Sequence, residues 1–155
     1  MCQARLVRNE EAQALMASLL ATSAALVDGV HAGVVARGFD DVRPTHGFAF
    51  VLLSHGGATV SELAGHLGVT KQAASQLVDE LVDKGYVERR AHPNDARARL
   101  VVLSEKGWEC TRAAEQAAAD TIAGWTKILG AQRLRALTTD LSRIAPHGPL
   151  RPAAR

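Results

Sequence analysis

The chain has 155 residues, a net charge of +2 at pH 7, 47% apolar and 22% charged residues. That is enough chain for one domain with a real core, and too apolar for global disorder. Aromatic residues are only 4%, which argues against a stacking platform for single-stranded nucleic acid, and so small a net charge leaves any nucleic-acid affinity to local clustering. Two cysteines, Cys2 and Cys110, make no disulfide framework.

Residues 1–9 read as a loose arm. Arg5, Arg8, Glu10 and Glu11 precede the first apolar stretch and no small-residue cleavage site follows it, so no signal peptide is expected. The uncharged run that follows is broken by Gln13, Ser18, Thr22 and Ser23. Asp28 and His31 then end it before the ~20 apolar residues that a membrane span needs. The expectation is a soluble cytoplasmic protein with no membrane partner. A long helix is predicted over about 10–36, with Leu15, Leu19, Leu26 and Val30 on one face and Leu20, Val27 and Val34 widening it. A stripe that broad needs cover on more than one side. The chain's own domain can supply one cover and a second subunit the other.

Gly38 to Arg43 is a polar break. Pro44 suits a first helical turn, and Phe48, Val51 and Leu52 supply the apolar side of a short helix that ends at Gly56-Gly57.

The next stretch reads TVSELAGHLGVTKQAASQLVDELVDKGYVERRAHPNDARARLVVLSEKG. Thr59 and Glu62 have capping-box spacing. Leu63, Ala64 and Leu67 form a helical apolar stripe, and Gly68 suits a left-handed turn. Thr70 can cap a second helix in which Ala74, Leu77, Val78 and Leu81 pack inward. Gln72, Gln76, Asp79 and Asp83 project about opposite, with Ser75 beside them. Gly85 ends that helix, and strand signals follow on both sides of the turn residues Pro93, Asn94 and Asp95. The order is helix, turn, helix, hairpin. A helix-turn-helix lays its second helix in the DNA major groove. Lys71, Gln72, Ser75 and Gln76 are the outward N-terminal set. Gln suits adenine, Lys suits guanine or phosphate, and Ser is permissive. Any amphipathic helix carries polar residues outside, but the hairpin beside this one bears Arg89, Arg90, Arg97 and Arg99 against Asp95. Such a patch suits a wing reaching phosphate or minor groove. Asp95 and Arg97, two apart at the tip, are spaced for a carboxylate to hold a guanidinium in one pose.

Ser104 can cap a long helix over about 105–129, with Trp108, Ile122, Trp125 and Leu129 on its apolar side. Gly130 breaks it. Leu134, Leu137, Leu141 and Ile144 mark a final helix, and 146–155, with three prolines, is expected to fray. The first and last helices are apolar yet far in sequence from the helix-turn-helix. A dimer built from residues 10–36 and 120–145, with Leu19, Leu26, Leu137 and Leu141 at the contact, accounts for both facts. Its two-fold axis would set two recognition helices about 34 Å apart, one duplex turn.

The segments SELAGHLGVT and QLVDELVDKGYVERR, the Asp95-x-Arg97 tip and LVVLSEKG resemble the multiple-antibiotic-resistance regulator (MarR) family. The resemblance is specific over 59–107, and the order of flanking helices extends it over most of the chain. It implies a single mainly α domain with a small β-wing: a winged helix-turn-helix lobe over 44–104 plus N- and C-terminal dimerisation helices. It further implies a homodimer on pseudo-palindromic operator DNA, probing the major groove with residues 71–76 and the minor groove with Arg97, held by Asp95. Ala96 and Asn94 stand where such tips are often more polar or basic. The resemblance also implies a small aromatic or acidic effector between the dimer helices and the winged lobe. Arg43 and His46, flanking Pro44, could receive its carboxylate, with His31 and Trp108 lining the same space.

Other chemistries find less in the residues. No Gly-rich phosphate loop, H-E-x-x-H or nucleophile elbow is present, so no enzyme and no cofactor are expected. The six histidines, His31, His46, His55, His66, His92 and His147, contain no i, i+4 pair, and neither cysteine has a CxxC partner, so a metal-sensing regulator is the weaker alternative. A redox sensor at Cys110 or Cys2, and a winged-helix interaction module without specific DNA binding, are the others.

Overall fold

The computed structural model describes residues 9–92 and 95–145. The order is α1 (Asn9–Val35), α2 (Pro44–Leu53), α3 (Val60–Leu67), α4 (Lys71–Asp83), β1 (Val87–His92), β2 (Asp95–Leu103), α5 (Glu105–Leu129) and α6 (Ala131–Ile144). It matches the expected mainly α fold with a small wing. The expected arm, the frayed tail, Cys2 and His147 lie outside the described residues.

Side-chain caps set the helix starts. Thr59 Oγ1 accepts the Glu62 N–H at 3.2 Å while Glu62 Oε2 accepts the Thr59 N–H at 2.7 Å, which satisfies two orphan donors of α3 at once. Thr70 Oγ1 accepts the Ala73 N–H at 3.1 Å and Ser104 Oγ accepts the Gly107 N–H at 3.1 Å. Between α3 and α4 the chain reverses at Gly68, whose φ of +69° is the left-handed conformation that a Cβ would strain.

One core holds the winged lobe together. Phe50 and Leu53 from α2, Leu63 and Leu67 from α3, Val78 and Leu81 from α4, Tyr86, Val101 and Leu103 from the wing root and Cys110 from α5 are all buried in one cluster. The two strands pair antiparallel from Val87↔Leu103 to Ala91↔Arg99, then shift register to His92↔Asp95. Ala58 adds a single bridge to Val101 on the other edge of β2. Gly107, in the first turn of α5, lets that helix close on the wing root: a Cβ there would lie 2.2 Å from the Tyr86 carbonyl oxygen.

The C-terminal half of α1 lies against α5. Gly33 faces Ala117, where a Cβ would come within 2.5 Å of the alanine methyl, and Arg37 pairs with Asp120 at 2.6 Å. The N-terminal half is uncovered: Leu15 is 60% exposed and Leu20 59%. No residue of α6 is buried, and Ile128, at the end of α5, is 81% exposed. Contrary to the expectation from its interrupting polar residues, α1 is by length and composition apolar enough to cross a membrane, with a mean hydropathy of 1.4. The Gly33–Ala117 packing near its C-terminus, and the Arg37–Asp120 pair just beyond it, are what a helix docked on a polypeptide partner makes.

Candidate nucleic-acid interface

Helix α4 presents a polar row on the side away from the core. Ala74, Val78 and Leu81 are buried, whereas Lys71, Gln72, Gln76, Asp79 and Asp83 are exposed and Ser75 is half-buried. The four candidate base or phosphate contacts therefore share the first two turns, near the helix N-terminus, where the partial positive charge of unpaired N–H groups favours an approaching phosphate.

At the wing, two of the four arginines of the expected positive patch are paired with carboxylates. Arg89 Nη2 lies 2.5 Å from Asp79 Oδ1 on α4, and Arg90 Nη2 lies 3.0 Å from Glu88 Oε2 on its own strand. Both wing-root arginines are thus neutralised by carboxylates ten and two residues away. Arg99 is exposed on β2 with no ion pair among the described residues. Asp95 and Arg97 belong to β2, but their side chains lie outside the described residues.

Behind the reading face, the N-terminus of α2 is tied to α4. His46 is fully buried; its Nδ1 accepts the Arg43 backbone N–H at 3.1 Å, and Arg43 Nε and Nη2 lie 3.4 and 3.2 Å from its Nε2. That nitrogen lies 3.5 Å from Glu80 Oε1. Glu80 also accepts from Arg43 Nη2 and, at 2.7 Å, from Lys84 Nζ. Burial pushes the His46 pKa below the ordinary value, and the Lys84 hydrogen bond lowers that of Glu80. Arg43 and His46 therefore already face a carboxylate from their own chain, instead of an open cationic pair at a helix start.

The four residues expected around an effector are not gathered in one cavity. Trp108, 40% exposed, lines a cleft of about 460 Å³ between the wing root and α5, with Gly56, Gly57, Glu88, Arg90 and Arg112. Arg43 lines a separate cleft of about 290 Å³ against Val69, Ala73, Gln76 and Glu80. His46 and His31 line neither. Cys110 is buried and its thiol is pushed up to about 11 by that burial, which leaves little thiolate for redox chemistry. No group of three metal-ligating side chains occurs among the described residues.

A model of the MarR family matches residues 42–98, the span from the start of α2 into the wing. Over that span the chain is similar to the MarR family. Among curated relatives, the HTH-type transcriptional regulator PetP of Rhodobacter capsulatus is 45% identical over 51 residues, 33% of this chain and 31% of PetP. The transcriptional repressor MprA of Escherichia coli K12 is 42% identical over 52 residues, 34% of this chain and 30% of MprA. The match thus spans about a third of each relative's length. Solved structures agree over much more of the chain. The apo form of E. coli MarR is 26% identical, covers 84% of this chain and 96% of its own, and superposes with a TM-score of 0.67. A mutant of that MarR complexed with operator DNA is 25% identical, covers 85% and 94%, and gives 0.68.

Three residues of this surface were not evident from the sequence. Asp79 was legible as outward-facing, but nothing local showed that Arg89, across the Gly85 turn, would meet it. Glu80 was hidden because its three partners stand four, 34 and 37 residues away along the chain. Arg112 shares a cleft with Trp108 one helical turn earlier, and that spacing was the available signal.

Proposed function

We propose that this chain is a sequence-specific DNA-binding transcriptional regulator that acts as a homodimer on a pseudo-palindromic operator. The observation that carries the proposal is the reading face of α4: Lys71, Gln72, Ser75 and Gln76 lie together on the outer side of a capped second helix, beside an arginine-bearing wing. In this reading Gln72, Ser75 and Gln76 contact base edges, Lys71 contacts phosphate or guanine, and Arg97, oriented by Asp95, enters the adjacent groove. By likeness to the repressor MprA the protein represses, and it acts in the cytoplasm by binding, not catalysis. The uncovered faces of α1 and α6 support a dimer joined through Leu19, Leu26, Leu137 and Leu141. A small aromatic or acidic effector fits the cleft at Trp108 better than the Arg43–His46 pair that Glu80 already occupies.

Selection from a randomised duplex pool tests the proposal. Binding that enriches an inverted repeat, and that weakens when Gln76 is replaced by Ala, supports it. Uniform binding to every sequence, or none, refutes it.

A further inference from the structure

The ion pair between Asp79 and Arg89 joins the recognition helix to the first wing strand at the surface proposed to face DNA. Its two side chains are not equally sheltered: Asp79 is 58% exposed and Arg89 35%. The pair is therefore solvated enough to contribute little to folding, and a nearby phosphate can compete for the guanidinium. The carboxylate stands on the outward row of α4 three residues beyond Gln76. Asp83, exposed one turn further, has no ion pair among the described residues. The outer face of α4 thus carries one lysine at its start and two carboxylates in its second half.

We propose that Asp79 is a specificity-determining residue that holds Arg89 away from the DNA backbone and so suppresses sequence-independent binding. The inference rests on the reading of the chain as a DNA-binding regulator. Phosphate contacts supply most of the affinity for any duplex, whereas base contacts separate one sequence from another. A carboxylate that neutralises a wing-root arginine lowers the first contribution and leaves the second untouched. Discrimination then rises at the expense of total affinity. Glu88 does the same for Arg90 within the strand, whereas Arg99 has no ion pair among the described residues.

The test compares the full-length chain with Asp79→Asn and Asp79→Glu. Each is titrated with a mixed-sequence duplex and with duplexes that the unsubstituted protein selects from a randomised pool, across about 50 to 200 mM salt. Asp79→Asn is expected to bind the mixed duplex more tightly, with the slope of log K against log salt steeper by about 0.9, the value for one further phosphate. That gain should shrink about threefold across the salt range, and the selected-to-mixed ratio should fall. Asp79→Glu, which keeps the charge, should restore the unsubstituted behaviour. A purely structural brace has the opposite sign: its loss loosens the wing, lowers the thermal midpoint and weakens binding to both duplexes. Unchanged or weaker mixed-duplex binding by Asp79→Asn overturns the inference while the regulator reading stands. Failure of the unsubstituted protein to bind either duplex at any salt overturns both.

Discussion

Tyr86 donates its phenolic O–H to Asp41 Oδ1 at 2.5 Å, so the residue that leads into the wing is anchored to the loop between α1 and α2. The ring is fully buried against Phe50 and Phe39, and Lys106 Nζ sits 4.1 Å from its centroid. Burial, reinforced by the Asp41 carboxylate, raises the phenol's pKa, and the same hydrogen bond lowers that of Asp41.

Two substitutions at this residue separate packing from hydrogen bonding. Tyr86→Phe leaves an exposed carboxylate that water can satisfy, and should cost about 0.5–1.5 kcal/mol. Tyr86→Ala empties the centre of the core and should cost about 3–5 kcal/mol. Urea denaturation of both variants measures the difference. Equal losses would mean that the ring contributes nothing beyond its hydroxyl.

Much of this organisation was legible in the sequence because its signals are local. Thr59 with Glu62, Thr70 and Ser104 announced three helix starts through chemistry that operates over three residues, and Gly68 and Gly85 announced the ends. The outward row of α4 followed from helical periodicity. The ion pairs were not legible, because Arg89–Asp79 and the contacts of Glu80 depend on how elements meet in space. For the same reason Arg43 and His46 read as an open cationic pair, when the partner that neutralises them arrives from another helix.

Helix α5 can approach the wing root only because residue 107 lacks a side chain. Gly107→Ala improves intrinsic helix propensity by about 1 kcal/mol, yet its methyl would meet the Tyr86 carbonyl oxygen, which is backbone and cannot swing aside. A net loss of about 1–3 kcal/mol is expected. Thermal denaturation showing a gain instead would contradict the close approach.

Stability should also depend on pH through His46. Its folded-state pKa lies below the ordinary value of about 6.5, so the unfolded chain takes up the proton first. The histidine's contribution is then complete above pH of about 6.5 and is lost as pH falls through the folded value. Protonation would also remove the Nδ1 acceptor of the Arg43 N–H. Denaturation midpoints at about pH 7.5 and 5.5 should fall for the unsubstituted chain and fall less for His46→Gln. Identical slopes would remove His46 as the titrating group.

The exposed leucines of α1 and α6 lead to a prediction about assembly. Leu137→Asp places a charge where the dimer is proposed to close, and burying it unpaired costs far more than losing a methyl group. Sedimentation at micromolar concentration should show a dimer for the unsubstituted chain and monomer for the variant, with helical content retained until the faces aggregate. A well-folded monomer of the unsubstituted chain would end the dimer proposal.

Sequence-selective recognition of duplex DNA by α4 and the wing is the central claim, and one binding matrix tests it most directly. Every single-base variant of a pool-selected duplex would be titrated at one salt concentration with the unsubstituted chain, Gln76→Ala and Arg97→Ala. Half-sites are expected to be centred about 10 base pairs apart. Gln76→Ala should relax the preference at one position of each half-site by about 1–3 kcal/mol, and Arg97→Ala should weaken binding without unfolding the protein. A matrix that is flat for the unsubstituted chain, or unchanged by both substitutions, would contradict it.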